Sequence, residues 1–271
     1  MTILTRIFNL YLRGSIHVAL SVGALILMTQ HMFGVRYDAA MALFGFFGTV
    51  TGYNFVKYDE IARVRRKTVR REIKLFAVLS FLSFVGAVLC FIQFRWTTQL
   101  LSFIVLVLTA LYTLPFFPNR RNARNWSGVK IYIVSLCWVG VTVVLPLIDA
   151  GVPVTIDFLV KCLQRFIIVF VLILIFEIVD LTKDDPHLHT VPQQIGVRKT
   201  KWLGALLLLI FLLLDLLLAQ ANVTQFVINL ILAVVTAAFL VFARIDSSRY
   251  YSAFWVESIP LLWLAMVLFS G

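Results

Sequence analysis

Long apolar runs dominate the sequence, and they decide what this chain can fold into. A helix of about 20 apolar residues crosses the roughly 30 Å hydrocarbon core of a bilayer. Of the 271 residues, 61% are hydrophobic, and continuous apolar stretches of this kind are unlike the short alternating segments of a membrane barrel. The sequence therefore predicts an all-α, polytopic membrane bundle of about nine transmembrane helices. The predicted spans lie near residues 14–33, 39–56, 75–94, 97–117, 129–148, 157–180, 202–220, 223–243 and 251–270.

Basic residues are distributed very unevenly between the two sides of these spans. With a cytoplasmic N-terminus, twenty Lys and Arg residues fall on that side, and only Arg36 and Arg95 fall on the other. Cytoplasmic loops carry such an excess. The net charge of +11 is thus explained by topology and predicts no nucleic-acid partner, although it suits anionic membrane lipid or a phosphorylated substrate. We expect an integral multi-pass protein of a bacterial plasma membrane, with its N-terminus and basic loops in the cytoplasm.

The acidic end of the sixth run, within residues 177–196, is the strongest candidate for a functional site. In a continuous helix Glu177, Asp180 and Asp184 would project within an arc of about 60°. Packed carboxylates repel one another unless a cation holds them, and Mg²⁺ accepts such oxygen ligands together with substrate phosphates. The alternative is that these acids only cap the helix and pair with nearby basic residues such as Lys183.

A second polar motif, residues 54–67, follows the second run and would end on the same side of the membrane. Lys57 and Tyr58 would each lie within about 60° of Asn54 around a regular helix, whereas Asp59 would not. The basic stretch that follows has no apolar stripe, so most of it is interpreted as a solvated loop. We treat residues 1–271 as a single integral membrane domain with these two motifs at one mouth.

Three charged residues within the predicted spans need partners in hydrocarbon. Arg165 lies deep in the sixth span, and either Asp215 or Glu257 could neutralise it. If all three line one path, the chain could be a transporter instead. Lys161, one turn before Arg165, is expected to extend outward to the interface.

The motifs resemble those of the UbiA-type intramembrane prenyltransferase superfamily. The second signature of that family is D-x-x-D-x-x-G-D followed by T-L-P-x-x-L-G. Here Glu177-x-x-Asp180-x-x-Lys183-Asp184 precedes Thr190-Val-Pro-Gln-Gln-Ile-Gly196, and Leu111-Tyr-Thr-Leu-Pro115 is similar to the family's middle region. The first signature, N-x-x-x-D-x-x-x-D, departs from the pattern because it maps to Asn54, Tyr58 and Ala62, so both aspartates are missing.

The resemblance implies a helical bundle around a large central cavity, in which Mg²⁺ helps to ionise a polyprenyl diphosphate. The prenyl group would pass to an aromatic or other lipophilic acceptor. Asp180 and Asp184 would be the catalytic residues and principal metal ligands, and Glu177 and Asn54 would be further ligands. The implied substrate contacts are Asn54, Lys57, Tyr58, Arg63, Lys67, Tyr112 and Lys183.

Two other functions remain open beside prenyl transfer. The altered first motif predicts weak binding of a second metal ion and slow chemistry, because less charge on the departing diphosphate would be neutralised. A catalytically inactive or repurposed relative that binds a lipid in the same cavity would also fit this sequence. The transporter hypothesis is the third possibility.

Overall fold

A computed structural model describes residues 3–64, 71–113, 128–184, 188–218 and 222–270 of the chain. Its elements are helical, with no strand in these ranges, and the predicted all-α class is confirmed. The helices are α1 (Ile3–Arg13), α2 (Ile16–Met32), α3 (Ala39–Val64), α4 (Arg71–Phe91), α5 (Trp96–Thr113), α6 (Val129–Val139), α7 (Leu145–Asp149), α8 (Ile156–Val179), α9 (Val191–Ile195), α10 (Val197–Leu213), α11 (Val223–Phe242) and α12 (Ile259–Phe269).

The count of membrane spans agrees approximately with the predicted nine. Among the described residues, seven helical stretches are long and apolar enough to cross a membrane. The pair α1 and α2 qualifies together but is bent by 59°, and α5 is a shorter apolar helix. The protein is therefore an integral membrane protein with a multi-helix bundle.

Helix α8 forms the centre of the bundle. Of its span, 72% is buried, whereas no other candidate span exceeds 44%. A helix that is apolar on every face is expected to be surrounded by others. The largest core cluster joins α8 to α2, α10, α11 and α12 through residues such as Leu25, Ile168, Phe211, Leu232 and Trp263.

Two spans are interrupted by π-helical turns, each followed by a proline. Residues Gly140–Val144 connect α6 to α7, and Tyr251–Val256 precede α12. Pro146 has no N–H to donate to the carbonyl four residues earlier, that of Thr142. The hydroxyl of Thr29 in α2 donates to this carbonyl at 2.7 Å. Side chains of neighbouring helices thus satisfy backbone groups at these breaks, as the absence of water in a bilayer requires.

Candidate functional site

A cavity of about 740 Å³ occupies the interior of the bundle. Residues from α2, α3, α4, α5, α6, α8 and the segment before α12 line it, and most of its wall is apolar. Seven aromatic residues contribute to this wall, namely Phe44, Tyr53, Phe84, Phe91, Phe103, Trp138 and Phe176. The expected central cavity is therefore present, with a size in the usual range of ligand sites.

Two glycines of α3 enlarge this cavity. Gly45, Gly48 and Gly52 all line it, but a Cβ atom on Gly48 or Gly52 would meet no atom within 4 Å. A Cβ atom on Gly45 would overlap with Cδ1 of Ile26. Only Gly45 thus permits close packing of α3 against α2, while the other two leave open space for a ligand.

Three charged side chains line the cavity in the described part of the chain: Lys57, Lys130 and Glu257. Lys57 Nζ donates to Ser15 Oγ at 3.0 Å, and its charge also attracts the carboxylate of Glu257. Lys130 opens α6 beside the end of α8 and attracts Glu177 there. The cavity therefore has mostly apolar walls, into which two lysines and one glutamate are set.

The acidic motif adopts a different geometry from the continuous helix expected. Helix α8 ends at Val179 and Asp180 is its C-cap, so the three acids do not belong to one continuous helix. The buried carboxylate of Glu177 accepts a hydrogen bond from the N–H of Val191 at 3.1 Å. Asp180 Oδ1 instead pairs with Lys183 Nζ at 2.8 Å. The continuous helix on which the expected arc was based therefore ends before Asp180 and Asp184, and the shared face stays a prediction.

Local capping interactions hold the segment that follows this motif. The side chain of Gln193 accepts a hydrogen bond from the N–H of Thr190 at 2.9 Å, and Pro192 lies in the first turn of α9. Gly196 has a φ of 82°, a left-handed conformation that glycine adopts without steric cost, and α10 begins directly after it. The Thr190–Gly196 segment, called the Thr190–Gly196 turn below, thus consists of the short helix α9 and its two caps, and its first helical residue is hydrogen-bonded to Glu177.

The donor set of the acidic motif is compatible with one Mg²⁺ ion but forms no closed site. Asp180 and Asp184 offer carboxylate oxygens within one turn, since the N–H of Asp184 donates to the Asp180 carbonyl at 2.9 Å. No group of three or more His, Cys, Asp or Glu residues that could hold a metal occurs in the described ranges. Any ion here would need oxygen atoms from a substrate as well, which is usual for Mg²⁺.

The first motif separates into residues that face the cavity and residues that do not. Lys57 lines the cavity, whereas the Tyr58 hydroxyl donates to the Arg13 carbonyl at 2.9 Å and its ring stacks on Phe76 at 4.9 Å. Asn54 is 2% exposed, and both polar atoms of its amide lack partners. The expected contact between Tyr58 and substrate does not fit this orientation, so we do not retain Tyr58 in the site.

Several predicted site residues lie outside the described part of the chain. Lys67 is outside it altogether, and the side chains of Arg63 and Tyr112 are outside it as well. Lys183 is described, and 58% of its side chain is exposed. Lys130, which the sequence analysis counted only among the twenty basic residues of the cytoplasmic side, lines the cavity, and its position at the start of a predicted span could have indicated this.

Neither expected partner neutralises Arg165. Asp215 Oδ1 accepts a hydrogen bond from Gln164 at 2.8 Å and lies 3.7 Å from Lys161 Nζ. Glu257 lies instead beside Lys57 in the large cavity. Lys161 also does not extend outward as predicted, because it is held by Asp215. Of the three residues of the proposed transport path, Glu257 therefore lines the large cavity and Arg165 and Asp215 do not.

Comparisons with known proteins identify the fold. No family model matches this chain, and no curated protein sequence matches it. A solved UbiA homologue from Archaeoglobus fulgidus bound to DMAPP and Mg²⁺ is 13% identical with a TM-score of 0.65, covering 96% of this chain and 98% of its own. An apo UbiA homologue from Aeropyrum pernix K1 is 15% identical with a TM-score of 0.62, covering 96% and 97%.

A third solved structure, of digeranylgeranylglyceryl phosphate synthase, gives the same result. It is 11% identical to this chain with a TM-score of 0.58, and the match covers 97% of this chain and 96% of that one. At these low identities the likeness establishes the arrangement of the helices. It does not by itself transfer an activity.

Proposed function

We propose that this chain, which has the UbiA fold, binds a polyprenyl diphosphate in its central cavity and transfers the prenyl group to a lipophilic acceptor such as an aromatic ring. The observation that carries the proposal is the charge distribution of the cavity. Its walls are mostly apolar, Lys57 and Lys130 are among the residues that line it, and Lys130 also attracts Glu177 of the acidic motif. An isoprenoid diphosphate has this same division into an apolar chain and an anionic head.

Lys57 and Lys130 would hold the diphosphate head by direct charge attraction. A lysine ammonium is a compact point charge that suits phosphate oxygens. Asp180 and Asp184 are the residues that would hold Mg²⁺, which supplies neutralisation of charge on a departing diphosphate. The solved homologue that binds DMAPP with Mg²⁺ supports this assignment of ligand class.

The cavity walls would protect and stabilise a reactive allylic carbon. Aromatic faces attract cations within about 6 Å, and an apolar enclosure excludes water that would otherwise react with the cation. Glu257 is the carboxylate that lines the cavity in the described ranges, and it lies beside Lys57. It could accept the proton that an aromatic or hydroxyl acceptor releases.

A direct test uses the purified chain in lipid nanodiscs with geranyl diphosphate. We expect saturable binding that strengthens with Mg²⁺ and weakens with EDTA, and formation of a prenylated product from a panel of phenolic and lipid acceptors. The absence of binding would contradict the proposal. So would binding of geranyl diphosphate that a second, longer isoprenoid diphosphate does not reduce.

A second candidate is a relative that binds an isoprenoid lipid without turning it over. It is favoured by the first motif, in which Tyr58 and Ala62 provide no carboxylate and the Tyr58 hydroxyl donates to the Arg13 carbonyl. Under this alternative, geranyl diphosphate binds and no product forms with any acceptor. Product formation above a control without protein decides against it.

A further inference from the structure

A second, much smaller pocket lies between α2, α8 and α12, apart from the large cavity. Its volume is about 10 Å³, enough for roughly one water-sized species. Thr29, Lys161, Gln164, Arg165 and Trp263 line it together with Met32 and Phe33. No residue of this lining belongs to the proposed prenyl diphosphate site.

The pocket is lined by a buried arginine that has no carboxylate partner in the described part of the chain. Arg165 is 3% exposed, and in the described ranges it forms no ion pair with a carboxylate. Its Nη1 donates to the Leu25 carbonyl at 3.3 Å and its Nη2 donates to the Thr29 hydroxyl at 3.2 Å. The guanidinium also lies 5.2 Å from the ring centroid of Trp263. These neutral contacts orient the charge without cancelling it.

The carboxylate of Asp215 is paired with other groups. Asp215 lies 3.7 Å from Lys161 Nζ. It also accepts hydrogen bonds from Gln164 at 2.8 Å and from Asn229 at 2.8 and 3.0 Å. In the described ranges Arg165 is thus left without a carboxylate partner within the membrane-spanning part of the bundle, where uncompensated charge is costly, while Lys161 is attracted by both Asp215 and Asp157.

Two buried donors at this pocket have no acceptor. The Nε of Arg165 and the indole Nε1 of Trp263 each lack a hydrogen-bond partner. Both groups can only donate, and buried polar groups are nearly always paired. A small anion would accept hydrogen bonds from both donors and would also neutralise the charge of Arg165.

We propose that the pocket between α2, α8 and α12 binds one small monovalent anion of halide size, held by Arg165 and Trp263. A neutral water molecule could accept both hydrogen bonds but would leave the Arg165 guanidinium without a counter-charge. A lipid phosphate group is too large for a space of about 10 Å³. The Thr29 hydroxyl links this site to the π-helical turn after α6, because it also donates to the Thr142 carbonyl.

The test measures thermal unfolding of the purified protein at constant sodium concentration, with bromide or chloride replacing gluconate. We expect a saturable rise in Tm with either halide and none with gluconate. Arg165→Gln should lose this halide dependence. Trp263→Phe, which keeps the charge but removes the indole donor, should shift the half-saturating halide concentration upward. Arg36→Gln, which removes an exposed arginine outside the pocket, should behave like the unsubstituted protein.

A structural measurement keeps the proposal testable if the Arg165 variant does not fold. Crystals of the unsubstituted protein grown or soaked in bromide should show an anomalous peak within hydrogen-bonding distance of Arg165 and Trp263. Density for a water molecule without an anomalous peak would overturn the proposal, and so would equal stabilisation by halide and gluconate.

Discussion

The carboxylate of Glu177 accepts a hydrogen bond from the backbone N–H of Val191, at 3.1 Å. This bond connects the last turn of α8 to the first residue of α9 across a connection of eleven residues. Its effect is structural, because it fixes the acidic motif relative to the Thr190–Gly196 turn. Glu177 therefore acts first as a positioning residue, whatever the neighbouring aspartates bind.

Replacing Glu177 should therefore change the order of the turn. Glu177→Ala leaves the N–H of Val191 unpaired, at a cost of about 1–3 kcal/mol in the free energy of unfolding. Glu177→Gln retains a carbonyl acceptor and should lose much less. Hydrogen exchange of the Thr190–Gly196 amides would measure the difference, and equal protection in both variants would contradict the positioning role.

The two aspartates should control metal-dependent binding. Asp180→Asn combined with Asp184→Asn should weaken Mg²⁺-dependent binding of geranyl diphosphate about tenfold or more, and about 1.4 kcal/mol corresponds to each factor of ten. Asp246→Asn is the matched control, since Asp246 is exposed in the connection between α11 and the segment before α12. Affinities measured with Mg²⁺ and with EDTA would check this, and an unchanged Mg²⁺ effect would return the aspartates to a capping role.

The cavity lysine should contribute to binding with and without metal. Lys57→Met removes an ammonium from the cavity wall and should weaken geranyl diphosphate binding in EDTA as well as in Mg²⁺. The loss should fall within about 1.5–3 kcal/mol, typical of a hydrogen bond to a charged group. Lys199→Met alters an exposed lysine of α10 and serves as the control. Equal affinities for the two variants would exclude Lys57 from the site.

The open space beside Gly48 and Gly52 should determine how long a prenyl chain the cavity accepts. Gly48→Leu places a side chain in the cavity where nothing lies within 4 Å of the added Cβ atom, so folding should be little affected. Binding of longer prenyl diphosphates should weaken more than binding of DMAPP. Gly45→Ala, by contrast, should destabilise the protein, because its Cβ atom would overlap with the buried Ile26 side chain. A competition series with chain lengths of increasing size would reveal any change in selectivity.

Restoring the two aspartates of the family pattern should not restore a metal site. Tyr58→Asp with Ala62→Asp removes the hydrogen bond from the Tyr58 hydroxyl to the Arg13 carbonyl and the stacking on Phe76. Each of these contributes about 1 kcal/mol to stability. We expect a lower Tm and unchanged Mg²⁺ affinity, with Tyr58→Phe as an intermediate control that keeps the stacking. Tighter Mg²⁺ binding by the double variant would show that position 58 can turn towards the cavity.

The sequence alone determined the class of fold and the location of the motifs. The length of an apolar run is a local property, and a bilayer that offers no water to the backbone converts it directly into a membrane helix. The acidic stretch after the sixth run and the TVPQQIG segment could likewise be recognised from residue order, and the UbiA arrangement expected from them agrees with the fold observed.

Only the tertiary structure decided which side chains meet. The sequence could not distinguish Asp215 from Glu257 as a partner of Arg165. In the fold Asp215 forms an ion pair with Lys161, and Glu257 lies beside Lys57. The rotation of each helix about its axis decides such pairings, and this rotation is set by the packing of all neighbouring helices together. A π-helical turn or an early helix end, as at Val179, changes that rotation locally, so spacing along an ideal helix predicts it poorly.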